Sequence, residues 1–151
     1  MRLFVLVFFV LPLLFAPARA TTGFACNAAD RSIKAEISGA YGTSLGSGLA
    51  NFGANIDILL ANLPAPLRKF TLDSSHVRQH WFVGRTLNMM TVWSTEDSAS
   101  EVTLMIETRR GPNEEDAYVG RYTLSIETAP IAPATEASRR ETTGKITCGI
   151  G

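Results

Sequence analysis

Three successive stretches of this chain alternate in hydropathy with a period of two, and short polar segments separate them. In the first, Leu87, Met89, Thr91 and Trp93 fall on one side and Asn88, Met90 and Val92 on the other. In the second, Val102, Leu104 and Ile106 alternate with Glu101, Thr103 and Met105. In the third, Tyr118, Gly120, Tyr122, Leu124 and Ile126 alternate with Val119, Arg121, Thr123, Ser125 and Glu127. Successive strand residues point to opposite faces, so this period marks β-structure, and the short turns at 94–100 and 109–116 make residues 86–128 an antiparallel meander.

The first 20 residues carry Arg2, an apolar run from Leu3 to Phe15 and the small-residue pattern Ala18, Arg19, Ala20. This is the composition of a secretory signal peptide with cleavage expected after Ala20, which leaves residues 21–151 as a single domain. Cys26 lies too far beyond the apolar run to be a lipid-acceptor cysteine. The leader removes two arginines and no acid, so 12 basic residues face 14 acidic ones, a net charge of −2. A near-neutral chain offers no basic footprint for nucleic acid, and no later apolar stretch is long enough to be a transmembrane helix. The expected location is the periplasm or the exterior.

Cys26 and Cys148 stand at opposite ends of the mature chain. In an exported protein they are expected to form one disulfide, which would bring the two ends together. Closing a loop of this length stabilises a fold by about 4–5 kcal/mol in the chain-entropy model. Neither cysteine belongs to a Cys-x-x-Cys motif, so the pair does not point to redox catalysis.

Outside the meander, Ile33, Ala35 and Ile37 alternate with Lys34 and Glu36, and Ile56, Ile58 and Leu60 alternate around Asp57 and Leu59, ahead of Pro64 and Pro66. Further short strands are expected at 69–72 and 144–148. Residues 39–55 are rich in glycine and small polar residues and read as an irregular loop without phosphate-loop spacing, and 129–141 reads as a surface connection. These elements predict an all-β fold with minor α: an antiparallel β-sandwich or small, partly open barrel of about seven strands.

Residues 72–94 hold both histidines and both tryptophans. Asp73 can cap a helix through the N–H groups of Ser75 or His76, with Leu72 and Val77 at the staple positions, so a short helix is expected over 74–83. The competing reading is a strand over 76–83. On a helix, Asp73, His76 and His80 share one face and could supply zinc or copper. On a strand the two imidazoles would stand about 13 Å apart and hold no single metal. The plainer account has Asp73 as a cap, one histidine packed and the other in water. A serine hydrolase would need Ser74 or Ser75 with histidine and Asp73, but there is no G-x-S-x-G elbow.

Glu101, Glu107 and Glu127 fit a solvated strand face better than a glycosidase pair, and Asn113, Glu114, Glu115 and Asp116 fit a charged hairpin tip better than a calcium loop. Trp81, Trp93, Tyr41, Tyr118 and Tyr122 are either a sugar-stacking platform or, more commonly, core. The chain therefore reads as a non-catalytic module of the bacterial cell envelope, without a cofactor, binding a protein or glycan partner. Its candidate contact residues are Tyr41 and Phe52 on the glycine-rich loop and Arg109, Arg110, Glu114, Glu115 and Asp116 at the hairpin tip. The alternative is a small periplasmic metal-binding protein or hydrolase built on Asp73, His76 and His80.

Overall fold

A computed structural model describes residues 21–42, 48–97, 99–112, 117–130 and 136–151. The expected leader, the middle of the glycine-rich loop and the acidic tip Glu114, Glu115 and Asp116 lie outside the described residues. Nine strands form one antiparallel sheet: β1 (Thr21–Ala29), β2 (Ile33–Gly42), β3 (Leu49–Ile58), β4 (Lys69–Asp73), β5 (Val77–Val83), β6 (Thr86–Ser94), β7 (Ser100–Arg110), β8 (Ala117–Thr128) and β9 (Ser138–Ile150). A single helical turn, α1 (Ala65–Arg68), precedes β4, and a 3₁₀ turn (Ser74–His76) links β4 to β5.

The strand order is β4-β3-β2-β1-β9-β8-β7-β6-β5. First and last strands pair in the middle of this order, so the sheet curls into a nearly closed barrel whose free edges are β4 and β5. Antiparallel steps around the whole order leave β4 and β5 running in the same direction. The chain thus passes from one to the other without reversing, as one bent stave that pairs with β3 in its first half and β6 in its second. The barrel has eight staves, a size whose interior side chains can fill. One end, here the upper, carries the β2–β3, β5–β6 and β7–β8 connections; the lower carries the β1–β2 turn, α1 and the β6–β7 and β8–β9 connections.

The interior follows the alternation of the sequence. Ile33, Ile56, Leu87, Ile106, Leu124, Ile126 and Ile146 are buried almost completely, and Leu67 of α1 plugs the lower end. Each such side chain contributes about 1.5–3 kcal/mol by leaving water. The barrel, rather than the sandwich, is the form adopted, and its strands replace three other expectations. The helix expected over 74–83 stops after one 3₁₀ turn, because residues 77–83 hydrogen-bond to β6 instead. The 39–55 segment is largely strand, interrupted by a bulge where Asn51 adopts φ 51°, a left-handed conformation that asparagine tolerates. Nor is 129–141 all connection, since β9 begins at Ser138.

β1 and β9 are joined three ways. They pair from Phe24 with Ile150 to Asn27 with Thr147, and the directly opposed Cys26 and Cys148 form the expected disulfide, buried from water. Tyr122 of β8 also crosses β9 above Gly144 and donates its hydroxyl to Asp30 Oδ2, at the end of β1, at 2.7 Å. A Cβ on Gly144 would stand 2.2 Å from that carboxylate oxygen and 2.5 Å from the Tyr122 ring, so the crossing requires glycine. Asp30 Oδ1 meanwhile accepts from the N–H groups of Ser32 and Ile33. Desolvation works to raise the Asp30 carboxyl, but these bonds and nearby Arg31 together hold it below the usual carboxylate range. Tyr122 is raised by burial and by its anionic partner.

Candidate functional site

The bend between β4 and β5 carries Asp73, Ser75 and His76, three residue types that invite a catalytic reading. Asp73 Oδ1 accepts from the Ser75 N–H at 2.9 Å and from the Ser75 hydroxyl. His76 Nδ1 lies 3.2 Å from the Asp73 N–H, as its acceptor, and 2.8 Å from Asp73 Oδ1, to which it donates when protonated. These contacts are a capping box around the 3₁₀ turn. A hydrolytic triad needs serine and acid on opposite imidazole nitrogens, whereas here Ser75 and Asp73 both approach Nδ1. The bonds from the Ser75 hydroxyl, the Ser75 N–H and His76 hold the exposed Asp73 carboxyl below its ordinary range.

His80 is not part of that cluster. It lies on β5 opposite Met89, and its ring packs 5.6 Å from that of Tyr41. The extended backbone therefore separates it from Asp73 and His76, which the helical expectation had placed on one face. Among the described residues no three His, Cys, Asp or Glu side chains gather as metal ligands do.

The feature that stands out is β5 itself. Phe82 and His80 oppose the buried Leu87 and Met89 on the inward phase, Phe82 half-buried and His80 exposed at the seam, while Trp81 and Val83 face outward. Trp81 is 43% exposed and Val83 69%. Among the described residues β5 is hydrogen-bonded to β6 alone, so within these its other edge presents unpaired N–H and C=O groups. Across this upper seam lies the first half of β3, which β4 does not reach. Side chains bridge the seam instead: the Tyr41 ring touches Phe82 at 5.2 Å and Phe24 at 5.4 Å, and Phe82 meets Tyr118 edge-on at 5.8 Å. The Tyr41 hydroxyl is buried without a hydrogen-bond partner, and burial pushes its pKa up to about 12.

Gly84, at φ 58°, and Arg85 form the two-residue loop that turns β5 into β6, with glycine supplying the positive φ such hairpins require. Arg85 donates to the Arg110 carbonyl at 2.9 Å, and the Arg110 guanidinium lies 5.2 Å over the Tyr118 ring with its Nε buried and unbonded. Arg109 points outward in the row Val83, Thr86, Arg109, Val119. At the lower end, the seam between β4 and β6 is closed by Phe70 stacked on Trp93 at 4.3 Å. A groove of about 780 Å³ opens beside it, lined by Pro64, Pro66, Lys69, Trp93, Glu96 and Pro130 among others.

The expected contact segments do converge, since β2–β3 and β7–β8 both connect at the upper end. Their named residues divide, however. Arg109 is exposed and Arg110 partly so, whereas Tyr41 and Phe52 are core residues, 7% and 5% exposed, because each falls on the inward phase of a strand rather than on a loop. Trp81 is expected as core or as part of a sugar-stacking platform, and Val83 is not among the expected contact residues. Their period-two phase with Gln79 is the signal that points them outward. Comparison with known protein families, curated proteins and solved structures finds no match to this chain.

Proposed function

We propose that this chain is an exported, non-catalytic module of the bacterial cell envelope that binds a protein partner by accepting an extended segment along the open edge of β5. The single observation that carries this reading is an edge strand with unpaired backbone groups and exposed Trp81 and Val83 beside it. Strand addition to such an edge draws affinity from main-chain hydrogen bonds and specificity from alternate side chains. The disulfide supports an oxidising compartment, as the leader-like first 20 residues do. The capping role of Asp73, Ser75 and His76 supports a non-catalytic reading over a hydrolase. A glycan is the second reading, favoured by the lower groove, where Trp93 and the carboxylates of Glu96 and Asp97 line one surface.

The test is a crosslinking pull-down from envelope extract with four proteins: wild type, Trp81→Glu with Val83→Glu, His76→Ala with His80→Ala, and Trp93→Ala. The wild type and the histidine variant are expected to recover the same protein, and the β5 variant to lose it. Loss confined to a Trp93→Ala protein, with a glycan recovered, favours the groove. Recovery of nothing specific, together with histidine-dependent turnover on an ester, peptide or glycoside panel, overturns the binding reading.

A further inference from the structure

Among the described residues, the charged side chains of β5 and its hairpin loop are of one sign. β5 contains Arg78 and no acidic residue, Arg85 follows in the hairpin loop, and Arg109 stands outward two strands away. A segment added beyond β5 would lie three strand spacings, about 14 Å, from β7, so Arg109 acts on it only as a longer-range charge. All three are exposed, and none forms an ion pair among the described residues. Elsewhere on the outer face some charges are paired: Arg121 with Glu107 at 3.0 Å, Lys69 with Asp57 at 3.4 Å, and Arg139 with Glu127 and Glu141.

We infer that the segment accepted by β5 is acidic, with carboxylates spaced to meet Arg78 and Arg85 while its backbone completes the ladder. This rests on the reading of β5 as a docking edge and names the chemistry of what docks. Arginine suits the role because its planar fork meets a carboxylate through two parallel hydrogen bonds. The bulge at Arg78, where the register with β6 shifts between Val77 and Gln79, sets this side chain outside the regular alternation of the strand. Trp81 and Val83 lie between Arg78 and Arg85 in sequence, so the segment's outward apolar residues would meet apolar neighbours and its acidic ones would meet the flanking charges.

The experiment uses the full mature chain and two labelled probes: a short end-capped peptide alternating glutamate with valine, and its lysine counterpart. Fluorescence anisotropy should show the acidic peptide binding roughly tenfold or more tightly than the basic one, about 1.4 kcal/mol or more. Charge reversal by Arg78→Glu with Arg85→Glu, two exposed positions that leave the core untouched, should invert that preference. Amide exchange at Val77–Val83 should slow when the acidic peptide is bound. Equal binding of both peptides with slowed exchange overturns the acidic assignment and leaves the edge reading standing. Preference for the acidic peptide without slowed exchange at β5 overturns strand addition. Binding of neither peptide, or an acidic preference that survives charge reversal, overturns the inference outright.

Discussion

Where β1 meets β9, the barrel is closed by backbone pairing, a disulfide and the Tyr122–Asp30 crossing; where β4 gives way to β5, it is closed by side chains alone. At the first closure both oxygens of the Asp30 carboxylate accept hydrogen bonds from inside the molecule. At the second, the β5 edge is unpaired and the buried Tyr41 hydroxyl is unbonded. A small barrel needs only one firm closure to hold its shape, because the remaining staves are linked by continuous ladders. The other can then stay available for contact, and natural edges left in this state are usually guarded by charge, as Arg78 and Arg85 guard this one. The difference puts the firm closure on one side of the molecule and, on our proposal, recognition on the other.

The largest expected effect comes from opening the firm closure. Replacing Cys26 and Cys148 with serine should cost about 2–5 kcal/mol in equilibrium denaturation, since the bond closes a loop with a sequence separation of 122. A cost below about 1 kcal/mol would make the ladder, not the bond, the element that holds the closure.

Tyr122→Phe removes the crossing without changing the packed ring and should cost about 1 kcal/mol at neutral pH. The sign of its pH dependence is fixed by Asp30, whose carboxyl is held below its ordinary range in the folded state. The stabilisation is present above the unfolded pKa of about 3.9 and is lost as pH falls through the lower folded value, so wild type and variant should converge in acid. Denaturation series at neutral and acidic pH check this.

The smallest effect belongs to the open seam. A double-mutant cycle on Phe70→Ala and Trp93→Ala should give a coupling of roughly 0.5–1 kcal/mol, the worth of one stacked pair beyond its burial. Coupling well above this range would mean that the lower seam is a structural closure comparable to the first.

How much of this was legible in the sequence follows from how each element is buried. β6, β7 and β8 pair on both sides and bury one face, so their alternation is sharp and the meander is read directly from residues 86–128. The disulfide followed from two cysteines and a leader. Asp73 was legible as a cap because its partners are local. β5 was not legible as a strand: it is exposed over most of its length, and Val77, His80 and Trp81 fit helical spacing as well as alternation fits the rest. Only pairing with β6, a contact the local sequence does not encode, decides between them. β1 was missed because Phe24, Cys26 and Ala28 face inward against outward Ala25 and Ala29, a contrast too weak to show a period. The start of β9 was missed because Arg140 and Thr142 are polar on the inward phase, with Arg140 donating to the Ala61 carbonyl of the lower loop. The site suffered most, since an unpaired edge is a property of the closed sheet and of no single residue.

Residue-resolved amide exchange on the unliganded protein tests the two-closure account most directly. Amides buried in the β1–β9 pairing should exchange only through global unfolding, whereas those of β5 that point away from β6 should exchange orders of magnitude faster, through little or no opening. Alternating fast and slow amides along Val77–Val83 is the predicted pattern. Uniform protection of β5 at the level of β1 and β9 would mean that a ladder seals the seam, and would contradict the account.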